Sequence, residues 1–209
     1  TYQVLHCPRA PMRPSTSLTP DGPQNVIDAV AVALDKLASG VLVVCAGSVH
    51  SARMVQKSHT YRVDAFDSGD AGPLAVVEEG CVRWFGRPTL PAPSRAVDLD
   101  ALSATMWPRV EVVLSYAGAS GAMVRSLANE AFAEAPLRGL VVAGSGNGTV
   151  HKELEEALIE IQLLGVRVVR ASRCARGQVV QGDAIAAFPH SNGLSPVKAR
   201  IALMLELMA

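Results

Sequence analysis

The chain has 209 residues, 49% of them hydrophobic and 18% charged, with 19 basic side chains against 19 acidic ones. That length and apolar content build one large domain or two small ones with true cores, and they exclude a disordered chain. Zero net charge without a Lys/Arg run excludes a basic field for nucleic acid or a membrane surface, and runs such as Gly40–Cys45 are far too short to span a bilayer. The four cysteines (Cys7, Cys45, Cys81, Cys174) make no C-x-x-C pair, and no His pair has ligand spacing. This argues against a zinc site and predicts free thiols in a reducing, cytoplasmic compartment. No residue pattern calls for a metal or cofactor.

"TYQVLHC" reads as a strand, and the Pro/Ser-rich stretch up to residue 24 as a long ordered loop. Over 23–38, Val26, Ile27, Val30, Ala33, Leu34 and Leu37 recur at helical spacing on one face, with Pro23 in the first turn and Gly40 as the stop. "GVLVVCA" (40–46) is a buried strand. Residues 47–80 have no helical period, and "CVRWFG" (81–86) is a short strand. The prolines Pro88, Pro91 and Pro93 mark a linker over 88–107, dividing a first domain (1–87) from a second (108–209). In the second, "VEVVLSY", "GLVVAG" and "VRVVRAS" alternate with helical "GAMVRSLANEAF", "VHKELEEALIEIQLLG" and "SPVKARIALMLELM". Ser195 stands as the last N-cap and Pro196 at the first helical position. Strand–helix alternation of this kind predicts a parallel sheet with helices on its faces.

The loop between the second of these strands and its helix, "GSGNGTVHKEL", looks like a phosphate cradle. It is G-x-G-x-G rather than G-x-G-x-x-G, with Thr149 where the third required glycine belongs, and no acidic residue follows at ribose distance. It also has no G-K-[ST]. Two readings stay open: a tight strand-to-helix turn, or a site for a carboxylate at the strand ends with Asn147 and Thr149 projecting into it.

Six separated blocks, in order, resemble the bacterial type I/II L-asparaginases, the asparaginase–glutaminase family. They include "MRPSTSLTPDGPQN" (12–25), "GVLVVCAGSVHSARMVQKSHTYRVDAFDSGDAGPLAVVEEG" (40–80), "VVAGSGNGTVHKEL", "RVVRASRC" and "LSPVKARIAL". The resemblance implies an α/β chain whose N-terminal parallel-sheet domain is incomplete, followed by a smaller α/β domain with a parallel sheet. It implies hydrolysis of asparagine, and sometimes glutamine, to the acid and ammonia by a threonine nucleophile with no cofactor. It further implies a small-molecule amino-acid substrate and assembly as a homotetramer of intimate dimers.

The family's "V-x-K-x-x-T" is here "VQKSHT", so the resemblance makes Lys57 the catalytic lysine of a Thr–Asp–Lys relay. An ammonium beside an Asp and a Thr hydroxyl holds that hydroxyl and lowers its pKa. By composition alone, Lys57 is a solvated surface lysine. The neighbouring His59 reads as a loop histidine, Asp64 and Asp67 as turn or capping residues, and Arg173 and Arg176 as a subunit contact or a solvated face.

Two family motifs, T-G-G-T with the nucleophile and H-G-T-D-T with the Thr–Asp pair, are not found in residues 1–209. The chain is therefore expected to lack the N-terminal portion and to be inactive alone, with helix and strand faces left uncovered. Pro11 replaces an alanine whose carbonyl contacts the substrate amide in the family, and Thr149 replaces an asparagine that reaches a neighbour's substrate. Proline keeps the carbonyl and threonine loses the amide's reach. These departures leave an alternative, a non-catalytic remnant that binds an acidic amino acid or a partner chain.

Overall fold

The computed structural model describes residues 4–5, 11–86, 107–129, 135–180 and 188–208. The chain divides into two compact units, Thr1–Ser94 and Arg95–Ala209. Apart from Trp107, the expected linker lies outside the described residues.

The first unit opens with β1 (Val4–Leu5), α1 (Gly22–Leu34) and β2 (Val41–Cys45). β1 and β2 pair in parallel, Val4 with Val41 and Leu5 with Leu42, which requires the crossover that α1 supplies. β3 (Ser48–Ser51), β6 (Ala75–Glu78) and β7 (Cys81–Trp84) extend the sheet antiparallel in the order β1-β2-β3-β6-β7. Two-residue turns impose that direction. Ala46–Gly47 joins β2 to β3 and Glu79–Gly80 joins β6 to β7, and all four residues have φ between 48° and 74°. Positive φ at both central positions is the turn that matches strand twist, and glycine takes one place in each. Between β3 and β6 the chain leaves the sheet to form a separate hairpin, β4 (Gln56–Lys57) against β5 (Phe66–Asp67).

α1 carries the expected helical period but turns the other way. Asn25, Asp28 and Val32 are its buried residues, whereas Val26, Ile27, Val30 and Leu34 are each more than half exposed. The helix ends at Leu34, with Asp35 as its C-cap, rather than running to residue 38. Val32 and Ala38 join Leu42, Val44, Val49, Ala75 and Val77 in the core beneath it.

The second unit contains β8 (Arg109–Leu114), α2 (Ala122–Ala128), β9 (Leu137–Gly144), α3 (Lys152–Leu163), β10 (Arg167–Ser172) and α4 (Pro196–Met208). Its sheet is parallel throughout in the order β10-β9-β8, as the alternation predicts. Both faces are covered. Val113, Leu140, Val142 and Val168 pack with Val124 of α2 and Leu154, Leu158 and Ile161 of α3. Val110, Val141 and Ala171 pack with Ala199, Leu203 and Met204 of α4. β9, in the middle, is therefore an almost unbroken buried apolar run. Among the described residues no helix is long and apolar enough to cross a membrane.

Candidate functional site

In the first unit, polar groups converge where β2 ends. The loop before α1 is tied down by Asp21, whose carboxylate accepts the backbone N–H groups of Met12 at 3.0 Å and Arg13 at 2.9 Å and the Asn25 side-chain amide at 3.1 Å. Burial pushes the Asp21 carboxyl up, but the Arg13 and Met12 amides and Asn25 outweigh it and hold it below the ordinary carboxylate value. Asn25 then accepts the N–H of Ala46 at 2.9 Å and donates to Cys45 Sγ at 3.9 Å. Its side chain thus reads the end of β2 directly. This explains why α1 buries a polar face: Asn25 is spent on the strand end, and Asp28 accepts from Gln24 at 2.8 Å. Pro11 is exposed and sits against Gly22 at the start of α1.

The β4–β5 hairpin reaches the same strand end. The buried Cys45 thiol points at the Val63 carbonyl, 3.8 Å away, in the loop between β4 and β5. That loop closes through Ser58, whose N–H and hydroxyl both donate to the Ala65 carbonyl at 2.7 and 3.1 Å. Lys57 stands immediately before Ser58 and pairs with Phe66. Its side chain is exposed, and among the described residues nothing hydrogen-bonds to or pairs with its ammonium. The hairpin that carries the lysine is thus held near the carboxyl end of β2, while the ammonium itself faces solvent.

The neighbouring candidates take local roles. His59 Nδ1 accepts the N–H groups of Tyr61 and Arg62, each at 3.1 Å, as a loop histidine does. Asp64 makes an exposed bidentate pair with Arg62, which holds the carboxyl below its usual range. Asp67 caps the following turn through the Gly69 N–H at 3.0 Å. Three residues carry more than their sequence context announces. Asp21 and Asn25 are the outer members of D-G-P-Q-N, an N-cap with a polar residue one turn on, and that pattern was the available signal. His50 is buried on β3 and shares a 2.9 Å hydrogen bond between Nδ1 and Ser68 Oγ. Burial pushes its pKa down from the ordinary value, against the pull of the Asp67 carboxylate.

In the second unit the glycine loop closes on itself. Ser145 and Thr149 exchange both backbone hydrogen bonds, at 3.0 and 2.8 Å. Those N–H groups are therefore not offered to a phosphate. Asn147 lies at the tip, and its amide donates to the Val180 carbonyl at 3.0 Å and accepts the Val180 N–H at 2.7 Å. Both ends of the expected substrate-binding amide are thus engaged in pinning the turn to the 178–180 segment, while the Thr149 side chain is exposed. Gly148, with φ +81°, is buried against Val179 and Arg170. The backbone here forms a tight strand-to-helix turn.

Comparison with known proteins follows the same division. The family model "Asparaginase, N-terminal" matches residues 10–90, and "Glutaminase/Asparaginase C-terminal domain" matches 109–209. L-asparaginase 2 of Escherichia coli (strain K12) is 37% identical over 202 residues, which are 94% of this chain and 56% of that protein. Glutaminase-asparaginase of Pseudomonas fluorescens biotype A is 35% identical over 205 residues, 94% of this chain and 54% of that protein. The crystal structure of a probable cytoplasmic L-asparaginase from Campylobacter jejuni superposes with a TM-score of 0.83 at 35% identity, covering 95% of this chain and 63% of that one. The chain spans a little over half the length of the curated relatives it matches. With both halves of the family matched in order along one chain, the protein belongs to the asparaginase–glutaminase family.

Proposed function

We propose that this chain supplies the lysine-bearing part of an amide hydrolase acting on asparagine, with glutamine as the second substrate. The observation that carries the reading is the seating of the β4–β5 hairpin against the end of β2 through Cys45 and Val63, beside a loop fixed by Asp21 and Asn25. In open α/β sheets that end of the strands is where ligands bind. Lys57 serves there as the proton-relay amine, the loop that begins at Pro11 contributes backbone groups to the substrate amide, and Asn147 with Thr149 shapes a turn of the second unit. A threonine elsewhere in the family fold is the nucleophile, so residues 1–209 by themselves do not release ammonia. The protein acts as a homo-oligomer in a reducing, cytoplasmic compartment. The exposed, unbridged Cys81 and Cys174 support that location, although one relative is a probable periplasmic L-asparaginase of Haemophilus influenzae.

The test is ammonia release from asparagine and glutamine by a hybrid in which residues 10–209 replace the matching stretch of the Escherichia coli relative. Hydrolysis is expected from the hybrid and none from the 209-residue chain. A hybrid that folds with Lys57 intact yet releases no ammonia overturns the reading. The solvent-facing Lys57 favours a second reading, a non-catalytic chain that binds an acidic amino acid. Calorimetric titration with aspartate separates the two, because binding by a folded, inert hybrid supports the second.

A further inference from the structure

We propose that His50, acting through Ser68, is a positioning residue that holds the β4–β5 hairpin on the sheet and so sets where Lys57 stands. The proposal rests on the reading of Lys57 as the acting amine and adds the device that places it.

The argument starts from strand alternation. Leu42, Val44 and Val49 face α1 in one core. Val43 and His50 are a directly opposed pair on β2 and β3, so they alternate onto the other face of the sheet. Both are buried there. A histidine with only 4% of its surface exposed needs a partner for its ring nitrogen, and a serine hydroxyl at 2% exposure needs one equally. Each satisfies the other at 2.9 Å.

Ser68 follows directly after β5, whose Phe66 and Asp67 pair with Lys57 and Gln56. The His50–Ser68 bond therefore joins the strand opposite Lys57 to the sheet. The near strand is joined separately, since the Val55 N–H donates to the Ser51 carbonyl at 2.9 Å. The hairpin is held at both feet, one through backbone and one through this side-chain pair. β4 and β5 have two residues each, and so short a ladder is marginal without outside anchors. Loss of the side-chain anchor loosens the foot opposite Lys57.

Hydrogen–deuterium exchange on the 209-residue chain tests this. In His50→Leu and in Ser68→Ala, amides of residues 56–67 are expected to exchange about tenfold faster, the equivalent of one lost buried hydrogen bond, while β9 and β10 are unchanged. The double variant is expected to match the singles, since either removes the whole link. His50→Asn offers an amide near the position of Nδ1 and is expected to return exchange to within about threefold of the parent. Unchanged hairpin exchange in either single variant overturns the proposal. So does acceleration that spreads equally over β2, β3 and β6, or failure of His50→Asn to rescue. If His50→Leu does not fold, Ser68→Ala reads the same link from its other end. Exchange reports the anchoring whether or not Lys57 acts in hydrolysis, so it stands apart from the ammonia assay.

Discussion

At the scale of single residues, the first unit depends on polar side chains that are buried because they have work inside. Asp21 stabilises the loop only while ionised, since a protonated carboxyl accepts fewer N–H bonds. Its folded pKa lies below the unfolded value near 3.8. Its contribution is therefore complete above that value and is lost as pH falls through the lower folded one. His50 has the same sign for a different reason. Its folded pKa is depressed from 6.5 by burial, so below pH 6.5 the unfolded chain takes up protons the folded one refuses, and stability drops as pH falls. Thermal melts of the parent are expected to lose stability from pH 6.5 to 5 and again below 4. His50→Asn should remove the first decline, and Asp21→Asn should lessen the second, to which the exposed Asp64, Glu78 and Glu160 carboxylates also contribute. A parent whose melting temperature is flat across both windows contradicts this account. At neutral pH, Asp21→Ala abandons the Met12 and Arg13 amides and is expected to destabilise the unit by about 2–3 kcal/mol in urea unfolding.

At the scale of elements, the glycine loop shows what spacing alone conveys. Its glycines serve different ends. A Cβ at Gly144 would overlap the Gly148 backbone, whereas one at Gly146 meets nothing within 4 Å and suffers only from φ +49°. Gly146→Ala is expected to cost about 1 kcal/mol, and Gly144→Ala several-fold more by displacing β9 from the turn. Equal urea midpoints for the two would sink that account of the loop. Strand-helix alternation in the second unit was legible because β9 is apolar throughout and α3 carries Leu154, Ala157, Leu158 and Ile161 at helical spacing. The direction α1 faces was not legible. Its apolar stripe has the right period, but period says nothing about which side meets the sheet once Asn25 finds its partners on Asp21 and Ala46. Lys57 was readable as a motif and His50 was not, because Ser68, its partner, is distant in sequence and only the fold brings the two together.

At the scale of the whole molecule, the outward stripe of α1 departs from an ordinary globular surface. Val26, Ile27, Val30 and Leu34 form a continuous apolar ridge, joined in the chain by the exposed Leu37, of the kind monomers seldom leave bare. The 209-residue chain is expected to bind 8-anilinonaphthalene-1-sulfonate at neutral pH. The double variant Ile27→Lys, Leu34→Lys should lose most of that fluorescence without a lower melting temperature. Equal dye binding by both proteins would mean the ridge is covered in solution. The site belongs to this scale too, since Asp21, Asn25, Cys45 and Val63 bring three separate chain segments to the end of β2.

Lys57 is proposed to act in amide hydrolysis from the hairpin so held. The most direct measurement is the steady-state rate of ammonia release by the hybrid protein with Lys57 and with Lys57→Ala. A lysine acting in proton transfer predicts a fall in kcat of about 10²–10⁴-fold, with KM changed far less and the melting temperature unaltered. A folded Lys57→Ala hybrid that turns over asparagine at the parent rate contradicts the claim.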